Sequence, residues 1–196
     1  MSYPRVTEVL RSFTSYDQVP KEILERAAAR GTTVHALCAG IAKGEWIPDG
    51  MIGEDNLGYV NSFKKWSAAQ VKKFVIIEKR YMDDTLQYSG QIDMVVMCHD
   101  NDLYLVDIKT SSRPQKTYPV QLAAYKNLLQ LHDVRVISSM LVYLKKDGEF
   151  PSVDLHCGLE EEMGVFQSAL ECWHYFNKGK KHGRARVCSD TTTSSA

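Results

Sequence analysis

Three short stretches of this chain hold residue types that could do chemistry together: Gly90-Gln91-Ile92-Asp93, Asp107-Ile108-Lys109-Thr110 and Gln121-Leu122-Ala123-Ala124-Tyr125. Side chains alternate across a strand, so Asp107 and Lys109 point to one face. Asp93 lies in the preceding β-rich run, and the turn-forming residues His99-Asp100-Asn101-Asp102 join the two runs as an antiparallel hairpin. With the right register its carboxylate joins the other two groups. Gln121 and Tyr125, four apart, share one face of the next helix. Gly90 removes a side chain just upstream, where a phosphate or another backbone could come close.

Two carboxylates a few ångströms apart repel, and one takes up a proton unless a cation lies between them. Hard oxygen donors suit Mg²⁺ or Mn²⁺. A lysine beside them can orient and activate a water and offset negative charge in the transition state. Phosphodiester hydrolysis needs those parts. Asp-x-Lys alone is commonplace, usually a surface ion pair, and Gly-x-x-Asp is no rarer. The order of the motifs and their apolar surroundings carry the argument. Ile92, Met94, Val95 and Val96 flank one acid, and Leu105, Val106 and Ile108 the other. Acids inside such runs cost stability unless something offsets them.

These residues must be positioned by the elements around them. A short helix is expected within residues 4–11, starting near Thr7. A second begins after Pro20 and continues or restarts through Thr33, Val34, Leu37 and Ile41, until Gly44 and Ile47-Pro48-Asp49-Gly50 break it. A third spans about residues 54–72, with Tyr59, Phe63 and Trp66 recurring on one face as core. From Phe74 the pattern turns to strands over 74–78, 87–98 and 103–110. Pro119 opens a helix that runs to about His132. A second hairpin, 136–144 and 153–156, turns at Asp147-Gly148, and a last helix covers about 159–177. With no internal repeat, this is one α+β domain over residues 1–177. Residues 1–73 form its mostly helical part, 74–157 the catalytic sheet and helix, and 158–177 the C-terminal helix. Residues 178–196, basic and then Ser/Thr-rich, are expected to be a flexible tail.

In their order the motifs resemble the PD-(D/E)XK nuclease superfamily and, within it, the RecB-like exonuclease branch. That branch carries Gly-x-x-Asp, then Asp/Glu-x-Lys, then Gln-x-x-x-Tyr, after an upstream helix histidine often found as Arg-Gly-x-x-x-His. Arg30-Gly31-Thr32-Thr33-Val34-His35 matches that last element, and Tyr3-Pro4-Arg5-Val6-Thr7-Glu8-Val9-Leu10 is similar to the branch's opening segment. The resemblance spans about residues 3–145. It implies a restriction-endonuclease-like core, a mixed central β-sheet flanked by helices with a helical N-terminal part. It also implies that Asp93, Asp107 and Lys109 are catalytic. His35, Asp93, Asp107 and the main-chain carbonyl of Ile108 would ligate Mg²⁺ or Mn²⁺. Gln121 and Tyr125 would hold the DNA strand or order the site. Glu78 is a further candidate site acid, because related nucleases can carry an acidic residue near that strand end.

The expected activity is that of a metal-dependent deoxyribonuclease, an exonuclease acting on DNA ends with single-strand preference. The alternatives are a structure-specific or nicking endonuclease, and a catalytically silent nucleic-acid-binding protein of the same fold. Asp93 follows Ile92 where the superfamily name has proline, a departure common in this branch. The stand-alone layout is similar to phage-encoded or mitochondrial genome-maintenance exonucleases, with any helicase or recombination partner a separate protein.

The bulk composition fits that expectation without pointing to it. The chain has 196 residues, 24 basic and 24 acidic, so net charge is zero and a basic substrate surface must be local. Lys64, Lys65, Lys72 and Lys73 are one such cluster, and Lys178, Lys180, Lys181, Arg184 and Arg186 another. Tyr118 and an exposed part of Tyr125 are expected to stack on bases. The five cysteines, at 38, 98, 157, 172 and 188, include no Cys-x-x-Cys pair. Mostly buried, reduced thiols are expected, with no iron–sulfur cluster. Neither a signal layout nor a membrane-spanning run is visible, so the expected setting is the cytoplasm of a bacterial or phage-infected cell.

Overall fold

The hairpin that carries the two acids is the centre of a five-stranded sheet. A computed structural model of the protein describes residues 3–14, 19–111 and 113–178. Its strands are β1 (Val71–Asp83), β2 (Tyr88–Cys98), β3 (Leu103–Lys109), β4 (Ser138–Tyr143) and β5 (Ser152–His156), in spatial order 1-2-3-4-5. Neighbours are antiparallel except β3 and β4, which run parallel. Parallel neighbours need a crossover. Here it is the helix α4 (Thr117–Leu131). The remaining helices are α1 (Val6–Leu10), α2 (Lys21–Ala42), α3 (Glu54–Gln70) and α5 (Glu160–Asn177).

Both faces of the sheet are covered, which explains the near-continuous apolar runs of β2 and β3. On one face Val95 and Leu105 pack with Leu122 and Leu128 of α4, Phe166 of α5 and Val9 of α1. On the other, Val96, Val106 and Ile108 pack with Phe63 and Trp66 of α3 and Val34 of α2. The stripe Tyr59, Phe63 and Trp66 is buried, as its helical spacing predicts. This is the mixed sheet with flanking helices and helical N-terminal part that the sequence predicts.

Some element boundaries differ from expectation. The second helix continues rather than restarts, as one element of 22 residues with Gly31 inside it. It ends in a Schellman turn: Glu45 N–H donates to Gly40 O at 3.0 Å, Gly44 N–H to Ile41 O at 2.9 Å, and Gly44 has φ +82°. Helix α4 starts at Thr117, so Pro119 sits inside the first turn, where its missing N–H has no intrahelical acceptor to lose. Strand β1 runs 13 residues rather than five, because β2 pairs with it over nearly its full length. Gly58 of α3 sits so close to the β4–β5 turn that a Cβ there would lie 1.7 Å from Lys146 O. The tail beyond Lys178 lies outside the described residues.

Candidate active site

The sheet opens where the two acids stand. The β2–β3 ladder pairs Met97 with Leu103 through to Met94 with Val106. Asp93 and Asp107 lie one step past its end. Further along β2, Ser89 is bridged by Arg5 and its N–H donates to Pro4 O at 2.8 Å. Between these two points the Asp93 carboxylate, rather than a strand carbonyl, receives the Ile108 N–H, at 3.0 Å. A buried N–H needs an acceptor, so the acid is fixed by the backbone whose ladder it ends.

β1 is distorted at the same level. Ile77 pairs with Met94 and Lys79 with Ile92, which sets Glu78 opposite Asp93. Glu78 has φ +48°, a left-handed conformation that L residues rarely hold and that clusters at functional sites. Ile92 packs into the α4 side of the sheet and Met94 into the α2–α3 side, although strand residues two apart ordinarily share a face. The break in alternation falls at Asp93.

Helix α2 brings the third donor. His35 Nδ1 lies 3.3 Å from Asp93 Oδ2. One ligand atom each from His35, Glu78 and Asp93 lie within 4.8 Å of one another. Asp107 faces the other way along the site. Its Oδ2 is 2.6 Å from Lys109 Nζ and its Oδ1 accepts from Gln121 Nε2 at 2.9 Å. Oδ2 is buried in that short ion pair. Lys109 also donates to Gln121 Oε1 at 3.2 Å and lies 4.2 Å above the Tyr118 ring. Gln121 in turn donates to the Tyr125 hydroxyl at 3.1 Å. Gln91 bridges from Arg80 to Glu78, accepting from the first and donating to the second.

Electrostatics separate the acids. Burial raises Asp107 above the usual carboxylate range, against the pull of Lys109. Burial alone would also raise Asp93, but His35 and the Ile108 N–H bring it below that range. Glu78 is raised by burial and by Asp93. His35 would be lowered by burial, yet Asp93 lifts it to about 9. Lys109 is likewise raised, Asp107 and Asp93 outweighing burial, so it stands as a cation. A cluster of imidazole nitrogen and carboxylate oxygens around one point fits a divalent metal ion.

Several expectations need correction. Tyr125 is only 4% exposed, with Gly90 under its ring, so it offers no face to a base. What approaches Gly90 is that ring: a Cβ there would lie 2.7 Å from Tyr125 Cε1. Gly90 therefore seats α4 on β2. In the first basic cluster Lys64 pairs with Asp49 at 2.8 Å, Lys65 with Glu149 at 3.4 Å, and Lys72 donates to Asn101. Of the second, only Lys178 is described. Cys38 and Cys98 are buried but Cys157 and Cys172 are exposed, so the described thiols are half buried rather than mostly so. The sequence reading missed Arg5, Lys43 and Arg80, which line the same open cavity of about 700 Å³ as the acids. The signal for Lys43 was present: it follows His35 by eight residues, about two helical turns.

A mixed sheet split beside an Asp…Asp-x-Lys set and a histidine–carboxylate cluster is the arrangement of a metal-dependent nuclease. The family model of the PD-(D/E)XK nuclease superfamily matches residues 8–182, and the chain belongs to that superfamily. No curated protein matches it. A solved structure titled "Crystal structure of SSO0001" is similar at 16% identity and a TM-score of 0.39, covering 52% of this chain; the match spans half the length of that chain. No helix among the described residues is long and apolar enough to cross a membrane.

Proposed function

We propose that this metal-dependent nuclease is a DNA exonuclease of the RecB-like branch, acting on ends and preferring single strands. The convergence of His35, Glu78, Asp93 and the Asp107–Lys109 pair in one open cavity carries the reading. His35, Glu78 and Asp93 would hold Mg²⁺ or Mn²⁺, with Asp107 and the Ile108 carbonyl completing the set. When bound, the metal ion supplies Lewis acidity and charge toward the phosphoryl oxygens.

The chain's own groups do the rest. Lys109, held beside Asp107, acts as a cation and hydrogen-bond donor, orienting the attacking water and countering charge that develops on the phosphoryl group. Asp107, Gln121 and the Tyr118 ring hold its ammonium in place. Gln121 and Tyr125 order the site rather than touch DNA, since Gln121 is spent on Asp107, Lys109 and Tyr125.

The test is cleavage of end-labelled linear single- and double-stranded DNA and of circular single-stranded DNA, with Mg²⁺, Mn²⁺ or EDTA. Shortening of linear single strands from an end, with the circle intact and EDTA silent, is the expected pattern. A cut circle makes the protein an endonuclease. No cleavage with either metal refutes the catalytic reading.

A further inference from the structure

Helix α2 does more than deliver His35. Thr32, His35, Ala36, Ala39, Gly40 and Lys43 all line the cavity, the three- and four-residue spacing of one helix face. Between His35 and Lys43 that face is built of Ala36, Ala39 and Gly40, with the Glu45 carboxylate and the Ile47 side chain packed over Gly40. The eight-residue step spans about 12 Å, the length of three or four stacked nucleotides at roughly 3.4 Å each.

Both ends of this face are defined. The acids stand at one end. At the other the Schellman turn fixes the chain's exit and sends it through Glu45, which borders both the active-site cavity and the next hollow, to Trp46. Trp46 is 86% exposed, whereas Trp66 is buried in the core on one sheet face and Trp173 packs against the core on the other. An exposed indole in the hollow next to a cavity that presents Lys43 and Arg80 is the kind of stacking platform that single-stranded nucleic acid uses. The opposite wall is β1, where Arg80 is exposed and bonded only loosely, at 3.4 Å, to Gln91. Duplex bases are already stacked on each other, so an indole rewards unpaired bases.

We infer that the cavity wall from His35 to Lys43, with Trp46 in the hollow beyond Glu45, guides a single nucleic-acid strand, with Lys43 and Arg80 holding phosphates next to the cleaved one and Trp46 stacking on a base. This rests on the nuclease reading and adds the groups that would set its strand preference. The cations give affinity that salt screens; the indole gives affinity that salt leaves alone.

The experiment measures binding apart from cleavage. Fluorescently labelled oligothymidylate and a duplex of the same length are titrated with Mg²⁺ by anisotropy, using Lys109→Ala to keep the probe intact. In that background Trp46→Ala weakens single-strand binding roughly ten-fold and duplex binding by less than two-fold, while Trp46→Phe restores most of it. Lys43→Ala and Arg80→Ala each lower the salt slope by about one. Oligothymidylate quenches tryptophan emission when Trp46 is present and not in Trp46→Phe. Because Trp46 is exposed, its loss leaves the thermal midpoint unchanged. Equal single-strand affinity with and without Trp46, or equal losses on both probes, overturns the inference. Cleavage by the native chain is scored separately. If it cleaves and Trp46 is indifferent, only this inference falls; if it binds through Trp46 without cleaving, only the catalytic reading falls. A chain that neither binds nor cleaves refutes both.

Discussion

Lys109 and Asp107 form a short, buried pair whose members want different partners once substrate and metal are present. Removing the amine leaves a buried carboxylate beside the site, so Lys109→Ala should abolish cleavage in an end-labelled gel assay. Because Asp107 keeps Gln121 as a donor and can take up a proton, the fold should survive, read by circular dichroism. Normal cleavage by that variant would remove Lys109 from the reaction. His35 gives a pH signature in the metal-free protein. Its ordinary value is 6.5 and beside Asp93 it rises to about 9. A raised value means that its charged form stabilises the fold fully below pH 6.5, and that this contribution is lost as pH climbs through 9. The loss is roughly 1–3 kcal/mol. Urea unfolding in EDTA across that window should show the decline in the native chain, and a flatter profile in His35→Ala. Parallel profiles would mean that His35 and Asp93 do not interact in solution.

At the scale of elements, the site depends on how closely helices approach the sheet. Gly90 lets the Tyr125 ring and the Leu128 methyl rest directly on β2. Gly90→Ala forces a Cβ into atoms 2.7 and 2.8 Å away and should cost about 1–3 kcal/mol. Since Tyr125 and Gln121 share that helix face, the same shift should also lower the cleavage rate. Gly58→Ala is the contrasting case: it meets a backbone carbonyl of the β4–β5 turn, whose Lys146 does not line the cavity, so thermal melting should fall more than activity per folded molecule. Glu78 carries the opposite sign. Its left-handed backbone costs roughly 1 kcal/mol in any residue but glycine. Glu78→Gly should therefore raise the melting temperature of the metal-free protein while weakening metal binding. A fall in that temperature would mean that the Gln91–Glu78 contact, not the cation site, is the carboxylate's main role.

For the molecule as a whole, folding gathers acids that repel one another, and a cation bound only by the folded state would shift the unfolding equilibrium. At a free metal concentration a hundred times its dissociation constant, the gain is about 2.7 kcal/mol. Mn²⁺ should raise the melting temperature of the native chain, and Asp93→Asn should lose most of that rise because Asp93 touches both His35 and Glu78's side of the cluster. An undiminished rise would move the cation elsewhere. Asp107→Asn should lose less, since in the absence of metal Asp107 is already engaged by Lys109 and Gln121. Zero net charge makes substrate attraction local, so cleavage should fall steeply with salt only as far as the cavity cations are screened.

Local patterns were enough for most of the elements and for naming side chains that the fold gathers in one cavity. Period-two and period-3.6 repeats mark the strands and helices because they depend on neighbours in the chain, and the motif order marks Asp93, Asp107, Lys109 and Gln121 as a set. The break of alternation at Asp93, the left-handed turn at Glu78 and the burial of Tyr125 over Gly90 were not legible there. Each arises where two distant segments compete for one space: β3 leaving β2, β1 crossing opposite Asp93, α4 settling on the sheet. The same holds for the cluster itself. The sequence lists a histidine, three acids and a lysine, but only packing gathers His35, Glu78 and Asp93 around one point and turns Asp107 toward Lys109. Ligand geometry is a property of spacing in three dimensions, and one-dimensional spacing fixes it only within a single helix or strand.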